Sequence, residues 1–174
     1  MADLSKIKAF AFDIDGVATD GGVFCNGDGD LLRTYDAKDG FAIRMAVLHG
    51  FPVGVITGGS SESIRKRMLT SGVPPEDVYL HCRDKREQFA LFCQRHNLQP
   101  EQVMYFGDDV PDIGVMLLCG CGVCPSDAVE EVKAIAGWVS SRPGGHGCLR
   151  ECIETTLRAQ GQWTFDAQAY KQRF

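Results

Sequence analysis

The sequence predicts an α/β fold, a doubly wound parallel sheet with helices on both faces. Three observations carry that prediction. Short apolar runs alternate with stretches whose apolar residues recur at helical spacing; each run is bounded by Gly, Pro or Asp; and the runs are apolar throughout, as in strands covered on both sides. In chain order, IKAFAFD (7–13) is the first strand. Residues 21–35, GGVFCNGDGDLLRTY, then break the rhythm with two β-prone runs around the turn NGDGD, a hairpin signal. A lone two-stranded hairpin is marginal in water, so this one is expected to be a flap over the site or an interface. FAIRMAVLHG (41–50) has apolar residues at helical spacing and ends in Gly, and FPVGVIT (51–57) is the next strand. Helix SSESIRKRMLTSG (60–72), strand DVYL (77–80), helix DKREQFALFCQRHN (84–97) and strand QVMYFGD (102–108) continue the alternation, followed by helix DIGVMLLCG (112–120) and strand GCGVCPS (120–126). A last helix and an aromatic tail, expected to dock, occupy about 146–174.

No repeat, low-complexity tract or linker divides the chain, which reads as a single domain over 1–174. With 174 residues it buries about 70% of its unfolded surface, enough for a core without disulfide or metal staples. Only about two dozen residues separate the first strand from the first helix, too few for a cap domain. Composition is ordinary for a soluble domain, with 44% hydrophobic, 24% charged and 9% aromatic residues and a net charge of −5. That charge argues against a nucleic-acid or membrane-surface partner. No segment approaches the roughly 18 apolar residues of a membrane span, and MADLSKIKAF lacks a signal-peptide pattern; the expected location is cytoplasmic, with reduced thiols.

In a doubly wound sheet the ligand crevice lies beyond the carboxyl ends of the strands, and those ends are where this chain concentrates polar residues. The first strand ends in Asp13-Ile14-Asp15-Gly16, and alternation points both carboxylates the same way. The second sheet strand ends in Thr57-Gly58-Gly59, a hydroxyl and amides that suit an anion, and the helix from 84 opens with Asp84-Lys85. The fourth ends in Gly107-Asp108-Asp109, with Asp112 beyond. An isolated Asp-x-Asp is usually a turn or a cap, but these features coincide in order. Converging carboxylates need a cation, and oxygen donors select a hard one such as Mg²⁺. The hydroxyl, amides and ammonium leave room for a phosphate, which a carboxylate attacks to form an aspartyl-phosphate while a second carboxylate serves as acid and then base.

The pattern DxDGV, TG, Lys, GDD, each element after an apolar strand, resembles the haloacid dehalogenase superfamily over about residues 7–126. The hairpin after DIDGVATDGG, the segment YDAKDGFAIR (35–44) and GGHGCLRE (144–151) are similar to its capless subgroup acting on 3-deoxy-D-manno-octulosonate 8-phosphate, a precursor of lipopolysaccharide. The resemblance implies a Mg²⁺-dependent phosphatase, a homotetramer whose hairpins help close a neighbour's site. By the same resemblance Asp13 is the nucleophile and a metal ligand. Asp15 is the acid/base and gives its carbonyl to the metal, and Asp108 completes the ligands. Thr57, Gly58 and Lys85 bind phosphate, and Asp109 supports Lys85 or the metal's waters. Asp36, Ala37, Lys38, Asp39, Gly40, Arg44, Arg67 and His146 fall at substrate-contacting positions. Two guanidiniums suit a sugar acid bearing carboxylate and phosphate; as residues alone, Arg44 and Arg67 also fit a solvated helix face.

Two departures stand out. Many relatives carry Arg after the TG pair, where this chain has Gly59, so another cation must substitute or the substrate differs. The late motif, usually GGRG, here contains His146, only partly charged near neutrality, which equally fits the start of the last helix. A nine-carbon sugar acid phosphate is therefore an alternative substrate, phosphotransfer to a second acceptor a less favoured reaction, and a non-catalytic module of the same fold an alternative class. Cys119, Cys121 and Cys124 lie close in sequence but without a paired CxxC, so the eight cysteines read as packing residues. His49 and His96 fall at helix ends and read as structural, whereas His81 is placed near the crevice or simply in a turn.

Overall fold

The computed structural model describes residues 3–29 and 31–174. Strand β1 (Ala9–Phe12) reads Ala-Phe-Ala-Phe, and the period of two sends Phe10 and Phe12 to one face of the sheet and Ala9 and Ala11 to the other. It lies at the centre of a parallel sheet. On one side it pairs with β4 (Val53–Ile56), which pairs with β5 (Val78–Tyr79); on the other with β6 (Val103–Phe106), followed by β7 (Cys121–Cys124) and β8 (Trp138–Val139). The order β5-β4-β1-β6-β7-β8 reverses direction between β1 and β6, so the expected doubly wound sheet has its switch point beside its first strand.

Helices cover both faces. Large residues of β1 pack against α1 (Ala37–Leu48), α2 (Glu62–Leu69) and α6 (Cys148–Ala159) through Ile43, Met45, Ile64, Met68, Leu149 and Ile153. The small residues leave room for α3 (Lys85–Arg95), α4 (Ile113–Met116) and α5 (Glu130–Lys133), led by Phe89, Phe92, Val115 and Val132. α1 begins at Ala37, four residues before the expected start, because Asp36 caps it by accepting from the amides of Lys38 (2.5 Å) and Asp39 (3.3 Å). The helix expected over 112–120 shrinks to four residues after a 3₁₀ turn, and β8 and α5 are too short to leave a periodic signal.

The hairpin forms from β2 (Phe24–Cys25) and β3 (Leu31–Leu32), paired antiparallel with Phe24 opposite Leu32. Asp30 of its turn lies outside the described residues. The tail docks through Trp163, whose ring meets Phe41 edge-on and lies under the Arg150 guanidinium at 4.8 Å. It ends in α7 (Ala167–Arg173). His49 reinforces the dock through a ring nitrogen 2.9 Å from the Thr164 carbonyl, and His96 lies 2.9 Å from Asp77, both structural as expected. All eight cysteines are free thiols, and burial pushes Cys121 and Cys124 up to about 11, well away from thiolate chemistry.

Candidate active site

At the switch point the chain leaves β1 through Asp13 and β6 through Asp108. The Asp13 amide donates to the Phe106 carbonyl (3.0 Å), and its Oδ1 accepts from the Ile14 amide (2.6 Å), capping the wide turn 14–18. Gly16 in that turn has φ +84°, and a Cβ there would lie 2.0 Å from Asp108 Oδ2. Only glycine lets the two loops close so tightly. Gly144 plays the same part in the late motif, where a Cβ would meet the Gly16 carbonyl at 1.9 Å, and the Gly145 amide donates to Val17 (2.9 Å).

Lys85 opens α3 and is buried, its Nζ 2.6 Å from Asp13 Oδ2 and 2.7 Å from Asp112 Oδ1. Asp112 is fully buried and also accepts from the Tyr105 hydroxyl (2.7 Å) and the amides of Asp108 (3.2 Å) and Asp109 (3.4 Å). This corrects the Lys85 alternative for Asp109. Its carboxylate accepts from the Val110 amide (2.7 Å) and caps the following turn, and the acids that hold Lys85 are Asp13 and Asp112. The sequence showed Asp112 only as one more acid, and nothing in it marked Tyr105 as its donor.

Burial pushes Asp13 up to about 6 against the pull of Lys85, and burial, helped by Asp112 and Asp13, pushes Asp108 up to about 7. Burial pulls Lys85 down, but Asp13 and Asp112 more than reverse it and leave the ammonium above its ordinary value. Carboxylate oxygens of Asp13, Asp108 and Asp112 lie within 4.8 Å of one another, and the buried Asp108 Oδ1 has no hydrogen-bond partner among the described residues. Three carboxylates facing one ammonium, one of them with an orphaned oxygen, fit a hard divalent cation.

β4 runs beside β1 with Val55 opposite Phe12, so Thr57 and Gly58 emerge next to Asp13. The Thr57 hydroxyl is buried and accepts from the Gly59 amide (3.1 Å), while Gly58 is exposed. His81, at φ +58°, donates its amide to the Gly59 carbonyl and braces this loop; its side chain is exposed.

Asp15 meets a residue that sequence reasoning missed. Arg33, from the arm of the hairpin that returns to α1, grips its carboxylate bidentately, Nε to Oδ1 at 2.5 Å and a terminal nitrogen to Oδ2 at 2.9 Å. The expected substrate positions divide. Arg67 lies over the Tyr35 ring at 5.5 Å and against Gly40, on the side of Arg33. Arg44 is not in the crevice: it donates to the Thr70 carbonyl (3.1 Å) and the Tyr170 hydroxyl (2.8 Å), tying α1 to the tail, because its helical position faces away from the strand ends. Asp39 is also committed elsewhere. Its buried carboxylate accepts from the amides of Gly147 (3.2 Å) and Arg150 (2.7 Å) and caps α6, whose own cap residue is a glycine. Asp36 caps α1, and Ala37 is exposed beside it. Asp36, Lys38 and His146, with Arg142 and Arg150, line a cleft of about 390 Å³ that adjoins the loop after Asp15.

A family model for haloacid dehalogenase-like hydrolases matches residues 68–150. The 3-deoxy-D-manno-octulosonate 8-phosphate phosphatase KdsC of Escherichia coli is 32% identical over 162 residues, covering 93% of this chain and 85% of that protein. The chain belongs to the haloacid dehalogenase-like hydrolases. Solved members of the family superpose closely on this hydrolase. The Yersinia pestis 3-deoxy-D-manno-octulosonate 8-phosphate phosphatase gives a TM-score of 0.88 at 31% identity, covering 91% of this chain and 85% of that one. The Moraxella catarrhalis enzyme, solved with magnesium, phosphate and KDO, also gives 0.88, at 26% identity and over 92% and 91% of the two chains.

Proposed function

We propose that this hydrolase is a Mg²⁺-dependent phosphomonoesterase that cleaves 3-deoxy-D-manno-octulosonate 8-phosphate to the free sugar acid and phosphate, a step toward lipopolysaccharide. The observation that carries the reading is the buried Asp13–Lys85–Asp112 array beside the unpartnered Asp108 oxygen, a charge pattern completed by a divalent cation and a phosphate dianion. The named activity of the Escherichia coli relative and the ligands of the Moraxella catarrhalis structure support it.

Asp13 attacks phosphorus, and the bond to the sugar oxygen breaks as that oxygen takes a proton from Asp15. Water then adds to the aspartyl-phosphate, giving its proton to Asp15 and releasing phosphate with Asp13 restored. Lys85, the Thr57 hydroxyl and the Gly58 amide neutralise and orient the phosphate oxygens. Asp13 and Asp108, with Asp112 near, would hold Mg²⁺, which would supply charge neutralisation of the transferring group. The buried Lys85 keeps its proton, so it acts by charge and not by proton transfer.

The test is phosphate release from the octulosonate phosphate by purified protein, with and without Mg²⁺. Expected are turnover that EDTA abolishes and Mg²⁺ restores, and a loss of about 10³-fold or more in Asp13→Asn. No release from either this substrate or a generic aryl phosphate with Mg²⁺ present overturns the enzyme reading and favours a non-catalytic module. Gly59 and His146 mark the nine-carbon sugar acid 9-phosphate as the comparison substrate; a higher kcat/KM for it moves the specificity. The exposed hairpin supports a homotetramer whose neighbours complete the site, to be checked by mass in solution.

A further inference from the structure

The chain lacks a cation at position 59, but the structure brings one to the same place from another element. Arg33 immediately follows the hairpin strand β3, yet its side chain is only 3% exposed. Its guanidinium forms both bonds to Asp15 and lies 3.4 Å from where a Cβ on Gly59 would be. Asp15, by contrast, keeps 33% of its side chain exposed. Burying a guanidinium is unfavourable unless its donors are met, and here a planar fork meets a planar carboxylate in the one geometry that fixes the carboxylate's rotation as well as its position. The same arm carries Tyr35, whose ring lies 5.5 Å from the Arg67 guanidinium.

From this we infer that Arg33 is a positioning residue for Asp15: the hairpin delivers a guanidinium that holds the acid/base carboxylate over the reacting oxygen, and the bare glycine at 59 leaves the space it occupies. The inference rests on the phosphatase reading and deepens it. It also gives the hairpin a role inside its own subunit, since displacing the arm releases Asp15. A side chain at 59 starts in contact with the guanidinium, so a cation from that strand end and one from the hairpin compete for one space.

The test uses the full-length protein with Mg²⁺ and p-nitrophenyl phosphate as the probe. Arg33→Met is expected to lower kcat by about 10²-fold with KM changed less than about threefold, because the residue acts on Asp15 and not on the phosphate. Arg33→Lys, which keeps the charge but not the fork, recovers part of the loss. The deciding measurement is the double-mutant cycle with Asp15→Asn. If Arg33 acts through Asp15, the Arg33→Met/Asp15→Asn double variant falls no more than about threefold below Asp15→Asn alone. Multiplicative losses, a rise in KM without loss of kcat, or wild-type kcat in Arg33→Met overturn the inference. Matching thermal melts are required of each variant; if Arg33→Met does not fold, the Arg33→Lys cycle answers the same question. A wild-type protein that releases no nitrophenol with Mg²⁺ instead fails the phosphatase reading itself.

Discussion

The buried Asp112 accepts from the buried Lys85 at 2.7 Å, from the buried Tyr105 hydroxyl at 2.7 Å and from two backbone amides. It therefore joins Lys85 to the core of β6. Removing one member of a buried ionic network leaves the others uncompensated, so Asp112→Ala is expected to destabilise the fold by about 3–5 kcal/mol. Tyr105→Phe deletes a single neutral donor and should lower stability by about 1–2 kcal/mol. Urea unfolding of both variants checks the ranking; equal effects would show that the lysine gains nothing from Asp112. None of this was legible in the sequence, where Asp112 reads like any helix-opening acid. Asp13 and Asp108 were legible because strand ends are local features.

At the scale of elements, α1 and α6 pack through their apolar residues, and one carboxylate adds a polar tie between them. Asp39 caps α6 from α1, and burial pushes its carboxyl up to about 6 even against the two amides that favour the ionised form. A folded-state value above the ordinary 3.8 means that the native protein holds this proton more tightly than the unfolded chain. Its contribution to stability is therefore complete below about pH 4 and is lost as pH rises through 6. Asp39→Asn removes that dependence. The stability of the wild type relative to Asp39→Asn should fall by about 2–3 kcal/mol between pH 4 and pH 7. Chemical unfolding of the two proteins at both pH values measures it, and a constant difference would contradict the burial argument. The sequence placed Asp39 among substrate contacts because its neighbours fit a motif, but its true partner lies more than a hundred residues away.

Over the whole molecule, the hairpin's two strands pair with each other over only two residues each, while Phe24 is 67% and Leu32 47% exposed. Such a face on so small an element suits burial against other copies. Phe24→Asp is expected to convert the proposed homotetramer to smaller species by light scattering and, because Arg33 rides on the same arm, to lower kcat as well. A monomeric variant with full kcat would separate assembly from catalysis. The docked tail adds a second tie at this scale, since Arg44, expected at the substrate, instead joins α1 to Tyr170 and to the Phe174 ring.

The sequence by itself determined the sheet, its doubly wound character, the crevice, the strand-end residues Asp13, Asp15, Thr57 and Asp108, and the helix-opening Lys85. Those depend on periodicity, on chain punctuation and on the rule that places ligands at carboxyl ends of strands, all of which are written locally. Tertiary structure alone decided which carboxylate holds Lys85, which arginine holds Asp15, and that Asp39 and Arg44 serve packing and not the crevice. Each of these is a pairing between elements distant in the chain, selected by the need to satisfy buried charge, and no local pattern records where a side chain will find its partner.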